Sequence, residues 1–406
     1  MTVSDLDPRL VADQPGLAGA WAAFRRRLAQ GELGAVPVVV GIAIIWLIFW
    51  LANDRFLSAD NLTNLALQIT ATGTISVGVV LVLLLGEIDL SVGQVSGLSA
   101  AAMAVLNVKH GVPGWLAILA GLATGLAIGA LQGFWVTRFR IPAFVVTLAG
   151  LLAWLGALLL VLGGTGTVNI TDSAITGLAN TFFVSLDAWL LAVIVIAVYT
   201  GQKLWERRGR TAAGLPVPPL RLLVTRVVVL AVAALATAAV LAAGRGLPLA
   251  LMIFVGLVVA VDLLVKRTRF GRHVLAVGGN AEAARRAGIG VDNVRLMVFI
   301  LASTLAAAGG ILAASRQFAV SQSSGGSDIL LNSIAAAVIG GTSLFGGRGS
   351  AYSALLGMLV IGSIANGMDL LGVESSTKFM VTGGVLLLAA TVDAVSRRGR
   401  QAAGRA

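Results

Sequence analysis

Apolar segments long enough to cross a membrane recur along the whole chain, and they constrain its fold more than any other feature. A helix needs about 20 residues, mostly apolar, to cross a hydrocarbon core of about 30 Å. The sequence therefore predicts an all-α polytopic membrane protein with about twelve transmembrane helices, the range being about ten to twelve. The segments are Val36–Leu51, Leu65–Leu85, Ser91–Asn107, Trp115–Val136, Phe144–Val161, Thr181–Tyr199, Leu222–Ala243, Leu247–Leu264, Leu296–Ala314, Asp328–Phe345, Tyr352–Leu371 and Thr377–Val392.

The placement of charge orients these segments. Charged residues make up only 12% of the chain, yet its formal net charge is +11. Cytosolic flanks retain Lys and Arg during insertion, so their distribution predicts cytosolic amino and carboxyl termini, and the basic excess then reflects topology and not nucleic-acid binding. If the amino terminus is cytosolic, only five of the 29 Lys and Arg lie on the outer side of the membrane, namely Arg55, Lys109, Arg245, Arg316 and Lys378.

Polar stretches divide the chain into regions. Its first residues form a polar tail ahead of a full-length span, which predicts a retained cytosolic tail and not a cleaved signal peptide. Two segments, Ser91–Asn107 and Asp328–Phe345, are short or polar, and we expect discontinuous or re-entrant helices there. The predicted regions are a cytosolic tail at 1–34, a transmembrane domain at 35–394 with a cytosolic connector at 202–221 and a coupling loop at 266–295, and a basic cytosolic tail at 395–406.

The coupling loop contains the most distinctive stretch, an E-A-A-x-x-x-G pattern from Glu282 to Gly288 between strongly apolar spans. Its flanks are too charged for lipid, so the loop faces water. The residues predict a short helix with Asn280 as its N-cap, Glu282 in the favourable first turn and Gly288 at its end. Such a helix either transmits the motion of a docked partner or is a solvated loop helix without a partner.

A second distinctive stretch, Gly86–Gln94, places two carboxylates between apolar spans. Glu87 and Asp89 have no Lys or Arg near them in the sequence. An Asp at the centre of a membrane costs about 2.5–3.5 kcal/mol on insertion scales, so such residues mark functional cavities. Asp89 or Ser91 fits equally well as the N-cap of the following helix. A transport path and a helix cap are both compatible with these residues.

Glycines and hydroxyl residues cluster again at Ile339–Gly349, where they look like a phosphate-binding loop. A Walker A motif requires a lysine, however, and none lies between Lys266 and Lys378. Two interpretations remain, a tight turn between helices or a gate beside a transport path. The chain has no cysteine and only two histidines, so the sequence predicts no metal site and no cofactor bound by this chain.

Four stretches occur in an order that resembles one family of permeases: Gly86–Gly93, Phe270–Asn280, Glu282–Gly288 and Ala336–Gly347. They resemble the permease subunits of ATP-binding-cassette importers, in the monosaccharide branch that includes ribose and xylose permeases. The resemblance runs from about Asn61 to Val392. It implies a homodimeric pore in the bacterial inner membrane, cytosolic ATP-binding subunits that use the ATP, and a periplasmic sugar-binding protein.

The resemblance also implies roles for residues. The contact with the ATP-binding subunit falls on Glu282, Ala283, Ala284, Arg285, Arg286 and Gly288. The translocation path is expected to include Glu87, Asp89, Ser91, Gln94, Thr342, Ser343 and Asn366. The chain has an apparent extra pair of spans around Thr181–Ala243. With this pair its length is similar to that of the xylose permeases, and this resemblance makes D-xylose the expected substrate.

Two rival functions fit part of this pattern. A branched-chain amino acid permease of the same superfamily would share the coupling loop and differ in substrate. A secondary transporter would carry its own coupling-ion site, for which Glu87 and Asp89 are candidates. A membrane enzyme is least favoured, because the sequence contains no His–carboxylate cluster, nucleophile elbow or metal-ligand set.

Overall fold

The computed structural model describes residues 36–184, 186–212, 214, 217 and 219–402, so the predicted tail at 1–34 and residues 403–406 lie outside the described part. Helices dominate what is described. They are α1 (Val36–Ala52), α2 (Ala59–Leu84), α3 (Val92–Val108), α4 (Gly114–Arg138), α5 (Ala143–Leu162), α6 (Ser173–Asn180), α7 (Leu186–Ala212), α8 (Leu220–Ala243), α9 (Leu249–Arg267), α10 (Arg269–Gly279), α11 (Ala281–Arg286), α12 (Val291–Gln317), α13 (Ser327–Ile339), α14 (Tyr352–Leu370) and α15 (Ser375–Ala402).

Four short strands and one turn of 3-10 helix complete the described elements. The 3-10 turn, Gly163–Thr165, follows α5. The strands are β1 (Thr167–Asn169), β2 (Phe182–Phe183), β3 (Leu247–Pro248) and β4 (Ala319–Ser321). They form two antiparallel pairs, β1 with β4 and β2 with β3.

Each of the twelve predicted apolar segments coincides with a helix. In the described residues, eight helices are long and apolar enough to cross a membrane, namely α2, α4, α5, α7, α8, α9, α12 and α14. Four shorter apolar helices are α1, α3, α13 and the first part of α15. The prediction of Asp328–Phe345 extends too far, because α13 ends at Ile339 and a glycine-rich loop follows. The chain is therefore a multi-pass membrane protein.

Helices α2, α3, α4 and α12 form a densely packed core. Glycines recur at every fourth position along the face of α4 that meets α12. A Cβ atom added at Gly129 would lie 2.5 Å from the carbonyl oxygen of Phe299, and one at Gly125 would lie 2.6 Å from that of Ser303. The two backbones therefore touch, which is how membrane helices gain packing contacts where lipid offers no hydrophobic drive.

The polar segment before α13 packs against α3. A Cβ at Gly97 would lie 2.2 Å from the carbonyl oxygen of Ser324, and one at Gly93 would lie 2.7 Å from that of Gly325. Both glycines belong to the first two turns of α3. Helix α13, with 13 residues, is about 20 Å long and thus shorter than a hydrocarbon core.

Helices α7 and α8 are attached to the core as an inserted pair. Strands β2 and β3 bracket them, with Phe182 opposite Pro248 and Phe183 opposite Leu247, so the chain leaves the core and returns at one place. At the other end, an ion pair joins Glu206 of α7 to the last residue of α9, Arg267. Helix α7 extends to Ala212, into the connector predicted at 202–221.

Candidate functional site

Helices α10 and α11 join α9 to α12 at one end of the bundle, and we call residues 268–290 the coupling segment. Side chains start both helices. The Thr268 hydroxyl oxygen accepts the backbone N–H of Gly271 at 3.1 Å. The Asn280 side-chain oxygen accepts the N–H of Ala283 at 2.9 Å, so the predicted N-cap is confirmed. Each cap satisfies a backbone donor that a helix end otherwise leaves free.

Helix α11 ends in a Schellman motif. The N–H of Ile289 donates to the carbonyl oxygen of Ala284, and the N–H of Gly288 donates to that of Arg285, both at 3.0 Å. Gly288 has a φ of +82°, which glycine adopts at little cost and L side chains rarely adopt. The prediction that Gly288 closes this helix is confirmed, and the last helical residue is Arg286.

The exposed face of α11 carries three charges. Glu282 pairs with Arg285 at 3.3 Å and with Arg286 at 3.2 Å, all on the same helix. Their side chains are between 52% and 80% exposed. Exposed pairs at this spacing contribute about 0.3–0.5 kcal/mol each, so a docking partner can replace them at small cost. Ala284 is the buried residue of this helix.

Backbone contacts hold the coupling segment against the end of α2. A Cβ at Gly278 would lie 1.8 Å from the carbonyl oxygen of Leu84, and the N–H of Gly347 donates to that same oxygen at 2.9 Å. A Cβ at Gly346 would lie 2.6 Å from the Gly278 oxygen and 2.8 Å from the nitrogen of Gly86. We call these four glycines the glycine junction. It joins three stretches that are far apart in the sequence.

The α2–α3 connection, residues 85–91, leaves the glycine junction and carries both predicted carboxylates. Gly86 ends α2 with a φ of +76°. The next side chain, Glu87, forms an ion pair with Arg295 near the start of α12, with an oxygen–nitrogen distance of 2.9 Å. The sequence did not reveal this pairing, because no basic residue lies near Glu87 along the chain.

Asp89 starts a buried chain of hydrogen bonds. One carboxylate oxygen accepts the backbone N–H of Ser91 at 2.8 Å and its hydroxyl at 2.7 Å. The hydroxyl oxygen of Ser91 accepts the side-chain N–H of Gln132, in α4, at 2.7 Å. All three side chains are buried. Asp89 thus orders the turn before α3, whereas no cap hydrogen bond from the Ser91 side chain is present in the described structure.

Two residues of this cluster were missed from the sequence. Gln132 is a single amide within an apolar span, and the glycines on either side of it, Gly129 and Gly133, mark the buried face of that helix. Thr147 of α5 has a hydroxyl oxygen that accepts the backbone N–H of Leu90 at 3.1 Å. A polar side chain on a glycine-lined helix face is the signal that points to Gln132, and we find no comparable signal for Thr147.

The remaining predicted path residues lie in three places. Gln94, in the first turn of α3, and Thr342, after α13, each have a buried side-chain oxygen without a hydrogen-bond partner among the described residues. The Ser343 hydroxyl oxygen accepts a backbone N–H two residues further on at 3.2 Å. Asn366 lies apart and exchanges two amide hydrogen bonds with Asn61, at 2.8 and 3.0 Å, which join α14 to α2.

These features define a class of protein. A multi-pass helical bundle carries a capped, charged helix on one end, and polar side chains are buried inside the bundle beside that end. Among the described residues, no group of three His, Asp or Glu side chains is placed to hold a metal ion. The arrangement is that of the membrane subunit of a transporter. The chain belongs to the family described as the branched-chain amino acid transport system permease component, whose model matches residues 61–390.

Curated relatives extend over nearly the whole chain. The xylose transport system permease protein of Escherichia coli strain K12 is 36% identical over 363 residues, which cover 89% of this chain and 92% of the relative. The xylose permease protein of Haemophilus influenzae is 36% identical over 92% of this chain and 99% of its own length. The ribose import permease protein of Bacillus subtilis is 32% identical over 90% and 94%. No solved structure matches the chain.

Proposed function

We propose that this chain is the permease subunit of an ATP-driven importer that moves a monosaccharide across the bacterial inner membrane. D-xylose is the proposed substrate. The observation that carries the proposal is the 36% identity to permeases named for xylose transport over 89% of the chain. The permeases named for ribose transport follow at 32% identity. Xylose and ribose are both pentoses, so a pentose is the substrate class that these relatives support.

The energy for transport comes from a separate cytosolic ATP-binding subunit. The chain itself binds no cofactor in this proposal, and ATP is used by the partner. Helix α11 supports the assignment of the docking site, because Glu282, Arg285 and Arg286 are exposed on a short helix whose backbone ends are already satisfied. A periplasmic sugar-binding protein delivers the substrate at the opposite end of the bundle. A second copy of the permease completes the pore.

The proposed topology has twelve crossings and two cytosolic termini. Helices α3 and α13 contribute as discontinuous elements, since both are shorter than the spanning helices. The positive-inside distribution of Lys and Arg supports the cytosolic placement of the coupling segment. In this arrangement residues 35–394 form the permease domain, and the tails at 1–34 and 395–406 are cytosolic.

The proposed translocation path passes the polar residues beside the coupling end. Asp89, Ser91 and Gln94 line it from the α2–α3 connection and α3, with Glu87 at its edge. Asn366 lies toward the opposite end. Scattered amides, hydroxyls and carboxylates match the hydroxyl groups of a sugar without forming a deep pocket, and weak binding favours release. The loop after α13 contributes Thr342 and Ser343.

A branched-chain amino acid is the second candidate substrate, because the matching family model is described for that transport system. Competition separates the two classes. Unlabelled D-xylose or D-ribose at excess should abolish uptake of labelled D-xylose, whereas leucine should leave it unchanged. Inhibition by leucine alone, together with labelled leucine uptake, would move the assignment to the amino acid class.

The test of the proposal is purification of the chain from its native membrane in mild detergent, with identification of co-purifying proteins by mass spectrometry. Wild type should bring an ATP-binding subunit with it. Glu282→Lys should lose that subunit while remaining inserted, because the change reverses charge at the docking surface. Glu374→Lys is the matched control, since it makes the same exposed change at the opposite end of the bundle. Wild type that emerges alone, even after gentle cross-linking, would contradict the proposal.

A further inference from the structure

We propose that the ion pair between Glu87 and Arg295 transmits movement of the coupling segment to the polar α2–α3 connection. This inference rests on the proposed importer function and deepens it. It assigns a positioning role to two residues, neither of which belongs to the exposed docking surface of α11. The sequence predicted Glu87 in the translocation path and Arg295 as the last residue of the coupling loop at 266–295, and it did not predict their pairing.

The ion pair adds a charged link between two elements whose apolar side chains, Leu85 and Val294 among them, already belong to one buried hydrophobic cluster. The Glu87 oxygen lies 2.9 Å from a terminal guanidinium nitrogen of Arg295, and the side chains are 19% and 28% exposed. Arg295 stands on the fifth residue of α12, immediately after the coupling segment. Any displacement of the start of α12 therefore pulls on a charge that is attached to the α2–α3 connection.

Local stability does not explain why Arg295 is there. Arg295 follows the first turn of α12, so its guanidinium gains nothing from the helix dipole, which favours carboxylates at this end. Asp292 lies one turn earlier on the same helix, yet Arg295 pairs with Glu87 across the bundle. Partial burial of both side chains also removes hydration that an exposed pair would keep. The pair is accounted for by the connection that it makes between two elements.

The glycine junction provides a second attachment, between the coupling segment and the end of α2. Gly278, at the end of α10, contacts the last turn of α2 with no side chain between the backbones. The contact point, Leu84, lies three residues before Glu87. The α2–α3 connection is thus held at two points, a backbone contact with the coupling segment before Gly86 and an ion pair with the start of α12 after it. Two points of attachment restrict the orientation of the connection as well as its position, whereas one point restricts only its position.

The connection in turn sets the positions of buried polar groups. Glu87 is two residues from Asp89, whose carboxylate holds Ser91, which holds Gln132 of α4. A shift of Glu87 therefore moves groups that the proposed function places beside the path. Physical continuity of this kind is a hypothesis of coupling until an interaction energy is measured, and the pair allows that measurement directly.

The test is a double-mutant cycle on the full transporter complex. The variants are Glu87→Arg, Arg295→Glu and the exchanged pair Glu87→Arg/Arg295→Glu, with Asp292→Asn as the control on the same helix. The two measured rates are uptake of labelled D-xylose by membrane vesicles and ATP hydrolysis by the co-purified complex. The quantity that decides is the sugar moved per ATP hydrolysed. A residue that serves only folding changes the amount of complex and leaves this ratio unaltered.

Each single variant should lower the ratio at least about tenfold, within the range usual for coupling between sites, while ATP hydrolysis continues. The exchanged pair should recover most of the ratio, and Asp292→Asn should leave it unchanged. Single variants that keep the wild-type ratio, or an exchanged pair no better than either single variant, would overturn the inference. Failure of the importer function is recognised separately, because then wild type itself would lack ATP-driven sugar uptake.

Discussion

Helix α2 and the inserted pair α7–α8 are all strongly apolar, yet they occupy opposite positions in the bundle. In the most apolar 18-residue stretch of α2, 89% of the residues are buried within the chain, against 11% in the corresponding stretches of α7 and α8. Apolar character alone therefore predicts that a helix enters the membrane and does not predict whether it faces protein or lipid. The difference between core and periphery lies in the small and polar residues that each helix carries.

The buried helix contains hydroxyl side chains at positions that face its neighbours. The Ser76 hydroxyl in α2 donates to the carbonyl oxygen of Ser333 in α13 at 2.8 Å, and Thr70 and Thr74 donate to carbonyls of their own helix. The residues of α8 are mostly Val, Leu and Ala, and the hydroxyls of Thr200 in α7 and Thr237 in α8 donate to carbonyls of their own helices. Substitutions at matched positions can break this contrast or sharpen it.

The largest effect is expected at the glycine junction. Gly278→Ala places a methyl group where only 1.8 Å separates it from a backbone oxygen, so the coupling segment must move away from α2. Overpacking typically costs about 1–3 kcal/mol, and a clash with backbone cannot relax by turning a side chain. We expect sugar uptake to be lost while the protein remains in the membrane.

The neighbouring residue provides the control for this change. A Cβ at Gly279 would meet nothing within 4 Å among the described residues, so Gly279→Ala should retain uptake. Uptake assays in vesicles that hold equal amounts of protein measure both variants. Equal activity of the two alanine variants would show that the backbone contact is dispensable.

A smaller effect is expected for the packing of α4 on α12, and it tests the contrast with the inserted pair directly. Gly129→Ala puts a methyl group 2.5 Å from the Phe299 oxygen and should destabilise the protein by about 1–3 kcal/mol. Gly201→Ala, in α7, meets nothing within 4 Å and should be neutral or slightly stabilising. Thermal unfolding in detergent, followed by circular dichroism, measures both. A loss of stability in the α7 variant that matches the α4 variant would remove the contrast.

The smallest effect is expected at Asp172, which connects the start of α6 to the last part of α3. Its carboxylate accepts the N–H of Ala174 as the N-cap of α6 and the amide of Asn107, both at 2.8 Å. These bonds, first that from Ala174, hold the pKa of Asp172 below its ordinary value. A carboxyl group whose pKa is lowered on folding stabilises the protein above its unfolded pKa of about 3.9 and loses that contribution as the pH falls through the folded pKa.

We therefore expect Asp172→Asn, which keeps a capping oxygen and removes the charge, to destabilise the protein at neutral pH by about 0.3–1 kcal/mol, the usual contribution of a negative charge at a helix start. The difference from wild type should shrink as the pH falls below about 4. Asp187→Asn, in the first turn of α7 in the inserted pair, is the control and should change stability less. Unfolding temperatures at several pH values give the comparison. A difference that grows on acidification would contradict the assigned direction.

Local patterns in the sequence predicted the local structure well. The apolar segments predicted the twelve apolar helices found among the described residues, because the apolar residues of a span follow one another along the chain. The cap by Asn280 and the closure by Gly288 were also predictable, since both depend on residues within one turn of the helix end. The glycines of α4 share one face by their spacing alone, and that face packs against α12.

The connections between distant parts of the chain were not predictable. Nothing near Glu87 indicates that Arg295 is its partner, and nothing in the pattern pairs Asn61 with Asn366. The glycine junction combines three separate stretches, each of which by itself is compatible with an ordinary turn. Such contacts depend on how whole helices are placed, and periodicity along one helix contains no information about its neighbours.

The closed ends of helix α11 have a consequence for the speed and cost of docking. A helix of six residues is not stable alone in water, but here Asn280 and the turn at Gly288 satisfy its ends before any partner arrives. The proposed docking surface is therefore preorganised, and binding does not have to supply the entropy of ordering it. A partner that docks there therefore meets a shape that is already formed.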